Sequence, residues 1–92
     1  MNQYIWETPG DIIKQVAENA KRIRKRRKIS RKQLSEQSGV SYSSIKRFEE
    51  TGNISLISLT RIARALGVES DIKKIFSDVP YLSIQEVINE QK

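Results

Sequence analysis

The sequence predicts an all-α fold of five helices followed by a short helical tail. Three observations carry this. Apolar residues recur at three- and four-residue spacing, and strand-like alternation is strong nowhere, although residues 2–6 could extend. A hydroxyl residue stands just ahead of each helical run, placed to accept from the free N–H groups of a first turn. Gly39, Gly52 and Gly67 close three of the runs.

The elements follow in chain order. Residues 1–8 are a lead segment holding Tyr4, Ile5 and Trp6, aromatic and apolar groups that either pack over the first and fifth helices or face a partner. Thr8-Pro9-Gly10-Asp11 opens the first helix with a hydroxyl cap, a proline in the first position and a carboxylate at the positive end of the dipole. Its apolar face is Ile12, Ile13, Val16, Ala17, Ala20 and Ile23, running to about Arg27. Ser30 caps a second helix, with Leu34 inward and Gly39 at its end; Ser41 caps a third, with Ile45 and Phe48 inward, ending at Gly52. Ser55 opens a fourth, with Leu56, Leu59, Ile62, Ala63 and Leu66 as its stripe. Ser70-Asp71 opens a short fifth containing Ile72, Ile75 and Phe76. Pro80 then breaks the chain, and Ser83-Ile84-Gln85-Glu86 is a capping-box pattern for a last short helix with Val87 and Ile88. The expected organisation is a lead segment (1–8), a main domain (9–77) and a tail (78–92).

Composition narrows the function. Ninety-two residues make one small domain. The chain has no cysteine and no histidine, which removes disulfides, thiolate metal sites and the commonest general base. No nucleophile–base pair or phosphate-cradling glycine loop stands out, so neither an enzyme nor a cofactor or metal is expected. No apolar run approaches a membrane span and no signal-peptide pattern opens the chain, so a cytoplasmic location is expected. The net charge of +6 is unevenly spread. Between Lys14 and Arg47 twelve basic residues face only Glu18 and Glu36, while the rest of the chain is net acidic. One half is built to meet a polyanion.

Arg24, Ile29-Ser30, Leu34, Gly39-Val40-Ser41, Ile45, Phe48-Glu49, Leu59, Ile62-Ala63 and Ala65-Leu66-Gly67-Val68 form an ordered set. It resembles the phage repressor/Cro (XRE) type of helix-turn-helix protein, whose fold is the five-helix, lambda-repressor-like domain. Physical roles accompany the pattern. Gly39 permits the positive φ of a tight inter-helix turn, Val40 plugs the core beneath it, and Ser41 caps the third helix. The resemblance implies an ion pair between Arg24 and Glu49. The sequence also departs from the family: Arg31 stands where glutamine is frequent, Ser35 where alanine is usual, and Glu49-Glu50-Thr51-Gly52 is one residue longer than the commoner form.

On the family's geometry the third helix presents Tyr42, Ser43, Lys46 and Arg47 to base edges, with Glu50 beside them as an exposed cap or a specificity filter. Lys46 and Arg47 can donate to guanine O6 and N7, Ser43 can donate or accept, and Tyr42 can pack on a thymine methyl or hydrogen-bond a phosphate. Phosphate contacts are expected from Arg31, Lys32 and Asn53, with Arg27 and Lys28 near the first inter-helix turn. Most of the remaining basic run between Lys21 and Lys32 is expected to be a solvated face that steers DNA at long range.

The implied function is a sequence-specific repressor that binds a double-stranded inverted-repeat operator as a homodimer. From Ile75-Phe76 through Val79-Pro80-Tyr81-Leu82 to Ser83-Ile84-Gln85-Glu86-Val87-Ile88, the chain further resembles the tail of HipB-like antitoxins. Those proteins partner HipA-like kinase toxins and repress their own operon. The alternative is a stand-alone or phage-type regulator without a toxin.

Overall fold

The computed structural model describes residues 6–78, and these form five α-helices. They are α1 (Pro9–Arg26), α2 (Arg31–Ser38), α3 (Tyr42–Thr51), α4 (Leu56–Ala65) and α5 (Glu69–Lys73). Tyr4, Ile5 and the last helix expected around 83–88 lie outside the described residues.

Four of the five starts are set by side-chain caps. Thr8 Oγ1 accepts from the Asp11 N–H at 3.1 Å and the Asp11 carboxylate accepts from the Thr8 N–H at 3.0 Å, a complete capping box. Those Thr8 hydrogen bonds hold the Asp11 carboxyl below its ordinary pKa. Ser30 and Gln33 make a second box on α2. Ser41 and Ser55 accept from the N–H groups of Ser44 and Ser58, at the starts of α3 and α4. α5 is different. It begins at Glu69 with no side-chain cap, one residue ahead of the expected Ser70. The turn that ends α4 decides this: the Gly67 N–H bonds the Arg64 carbonyl and the Val68 N–H bonds the Ala63 carbonyl, a Schellman closure that delivers Val68 directly into the next helix.

The core is Phe48, Leu34, Ile45, Ile62 and Leu66, fully buried, with Ala17, Val40 and Ala63 around them. Each large side chain contributes about 1.5–3 kcal/mol by leaving water. α3 packs on α1 and α2, α2 also packs on α4, and α5 packs on α4. Gly52, with φ +85°, ends α3 directly against α1: a Cβ there would lie 2.7 Å from the Ile13 carbonyl carbon. Gly39 has a similar φ of +75° but open space around it. One glycine is required by the turn alone, the other by the turn and a close backbone approach.

The apolar stripe of α1 divides along its length. Ala17 is buried and Ala20 and Ile23 pack against the core, but Ile12, Ile13 and Val16 remain exposed, Ile12 by 50%. Of these first turns, Ile13 meets the end of α3 at Gly52 while its side chain stays partly open to water. Leu56, expected inside, is 65% exposed on the first turn of α4. Phe76, expected within the fifth helix, lies beyond its end at φ +58° and is 91% exposed. Trp6 is exposed as well. No described helix is long and apolar enough to cross a membrane.

Candidate nucleic-acid interface

The turn between α2 and α3 is locked by serines as well as by Gly39. The Ser35 hydroxyl donates to the Val40 carbonyl at 2.6 Å, and the Ser38 hydroxyl accepts from the Val40 N–H at 3.1 Å. Both backbone groups of Val40 are thus satisfied while its side chain is buried. The serine that replaces the usual alanine at 35 is small enough for close packing and adds a bond across the turn.

With Ile45 and Phe48 inside, helical spacing places Tyr42, Ser43, Lys46, Arg47 and Glu50 on the exposed side of α3. Ser41 Oγ donates to Ser44 Oγ at 2.8 Å and lies 3.3 Å from Ser43 Oγ, so the first turn carries three neighbouring hydroxyls. The outer face therefore offers hydroxyls, an amine and a guanidinium in one short stretch, a set able to donate and accept in a major groove.

The position of α3 is held by a cluster of three charges. Arg24 donates to Glu49 through Nε at 2.7 Å and Nη2 at 3.1 Å, and through Nη1 to the Ile29 carbonyl at 2.8 Å. Arg31 donates through Nε to the same carboxylate at 2.8 Å. The Glu49 side chain is only 2% exposed. Burial raises its pKa, but the hydrogen bonds and charges of Arg24 and Arg31 outweigh that and hold it below the ordinary glutamate range. The Arg31 guanidinium gains basicity, mainly from its bond to Glu49, with a smaller contribution from the Tyr42 hydroxyl. Tyr42 and Glu49 are seven residues apart, so they share a face of α3, and Arg31 lies along it.

The residues expected at phosphates do not all come together. Arg31 and Lys32 open α2, where the first N–H groups point outward and the dipole is positive. Asn53 lies at the other end of α3, its N–H bonded to Thr51 Oγ1, which itself donates to the Arg47 carbonyl. Asn53, Arg47, Ser44, Ser55 and Ser58 line a polar recess of about 500 Å³ at the N-terminus of α4. Arg27 lies elsewhere: its guanidinium sits over Gly67, past the opposite end of α4 from Asn53. Lys28 is exposed in the turn after α1 at φ +57°, where glycine is the usual occupant.

Sequence reasoning found the Arg24–Glu49 pair but missed the bond from Arg31. Residue spacing carried no signal for it, because the two positions are 18 apart and meet only through the fold.

Among known families, the helix-turn-helix family model matches residues 21–73. No curated protein and no solved structure matches the chain. The match runs from the second half of α1 through α5 and contains the α2–turn–α3 unit whole. With its family span, its five helices and its basic, polar third helix, the chain belongs to the helix-turn-helix family and is a DNA-binding transcriptional regulator of the XRE type.

Proposed function

We propose that the chain is a sequence-specific repressor that places α3 in the major groove of an inverted-repeat operator and acts as a homodimer. What supports the reading most is the outer face of α3, where Tyr42, Ser43, Lys46 and Arg47 are exposed together above a buried Ile45 and Phe48. In a symmetric dimer two such helices would stand about 34 Å apart, one turn of duplex. Arg31, Lys32 and Asn53 set register on the backbone, Arg27 and Lys28 add charge near the first turn, and the α3 side chains set sequence.

The test is anisotropy binding to the DNA upstream of the chain's own gene, against a random duplex. Lys46→Ala and Arg47→Ala are each expected to cost about 1–3 kcal/mol on the specific site and less on random DNA. An equal loss on both would reduce them to phosphate contacts, and a wild type that prefers neither DNA would sink the repressor reading.

A narrower role, the antitoxin of a HipA-like kinase toxin, is favoured by the sequence between Ile75 and Ile88. In this role any kinase chemistry belongs to the partner. A kinase-like reading frame beside this gene, with a product that co-elutes with the chain, is the expected finding. Its absence leaves a stand-alone or phage-type regulator.

A further inference from the structure

The cluster around Glu49 does not balance. One carboxylate serves two guanidinium groups, leaving a surplus of one positive charge. That surplus has a definite place. All three nitrogens of Arg24 are engaged, and its side chain is 9% exposed. Arg31 gives only Nε to Glu49 and its side chain is 22% exposed; its terminal nitrogens stay outside that bond, with the Tyr42 hydroxyl beside the guanidinium. A guanidinium tied at Nε keeps its outer edge, the pair of terminal nitrogens, oriented as a fork for an oxyanion.

The surroundings of that fork suit an anion too. Arg31 is the first residue of α2, and Ser30 caps only the Gln33 N–H. The N–H groups of Arg31 and Lys32 have no partner within the helix.

We infer that Glu49 is a positioning residue for DNA: held in place by Arg24, it fixes the Arg31 guanidinium so that its terminal nitrogens meet a backbone phosphate at the start of α2. This rests on the DNA-binding reading above and gives the buried carboxylate a task besides joining helices. A side chain already fixed loses little freedom on binding, so the arrangement raises affinity without adding a contact.

The experiment is a salt titration of binding to a mixed-sequence DNA duplex by the wild type, Arg31→Gln, Arg31→Lys and Glu49→Gln, with a thermal melt of each. Arg31→Gln is expected to make the slope of log K against log salt shallower by about 0.9, the share of one phosphate contact. Arg31→Lys keeps the charge and the slope but lacks the fork, and is expected to bind about 3–10-fold more weakly. Folded Glu49→Gln is expected to bind more weakly although it is one charge more positive; attraction by net charge alone predicts the opposite. An unchanged slope in Arg31→Gln overturns the inference, as does wild-type affinity in Arg31→Lys or tighter binding by folded Glu49→Gln. Should Glu49→Gln not fold, the two Arg31 variants decide. If the wild type shows no salt-dependent binding to any duplex, the DNA-binding reading falls with the inference. Steep wild-type binding with an unaltered Arg31→Gln slope removes the inference alone.

Discussion

The two sides of this small domain are held by different forces. Around α2 and α3 the fixing contacts are directional: Glu49 between two arginines, serines on both backbone groups of Val40, and hydroxyl caps on both helices. Across the domain, α1, α4 and α5 enclose an open apolar groove of about 270 Å³, lined by Val16, Ile23, Leu59, Ile72 and Ile75 among others. Directional bonds specify one arrangement and fail sharply when a partner is removed. Apolar surface already in contact with water loses little when it is made polar. The helix that must present its side chains in register lies on the first side.

The largest expected break is at Glu49. Glu49→Ala leaves two arginines facing a vacated, largely buried site and should cost about 3–5 kcal/mol in urea unfolding. The same group sets an acid limit. Its folded pKa lies below the unfolded value, so its contribution is complete above about pH 4.3 and is lost as the pH falls through the folded value. In Glu49→Ala that part of the acid dependence should vanish; an identical acid profile would show that Glu49 does not stabilise the fold through its charge.

The two glycines sharpen the comparison at a smaller scale. Gly52→Ala adds left-handed strain and a collision with the Ile13 backbone, about 2–4 kcal/mol together. Gly39→Ala adds the strain alone, about 1 kcal/mol. Equal losses would mean that α1 yields and that its contact with the end of α3 is soft. The smallest effect belongs to the exposed first turns of α1. Ile12→Ser, half exposed, should stay within about 0.5 kcal/mol of wild type by the same measurement.

What the sequence made legible follows the same division. The starts of α1 through α4 could be read because Thr8, Ser30, Ser41 and Ser55 act on N–H groups three residues away, a local interaction that spacing reveals. The start of α5 could not, since backbone bonds closing α4 set it and the hydroxyl at Ser70 does not. Periodicity marked the apolar face of α1 but carried no information about what would cover it, so Ile12 and Val16 emerged exposed. At the interface, the exposed residues of α3 followed from Ile45 and Phe48 being inside. The engagement of Arg31 by Glu49 joins residues 18 apart, a distance at which residue spacing says nothing and only the fold brings charges together.

The first turns of α1 carry a further consequence. The family span begins at residue 21, yet Ala17, which is 1% exposed, and Ile13, which abuts Gly52, both stand upstream of it. A fragment trimmed to the shared span would open a hole in the core and remove the wall on which α3 ends. The span matched by the family model and the length that must fold together are therefore different, and here the matched span is shorter than the mechanical unit.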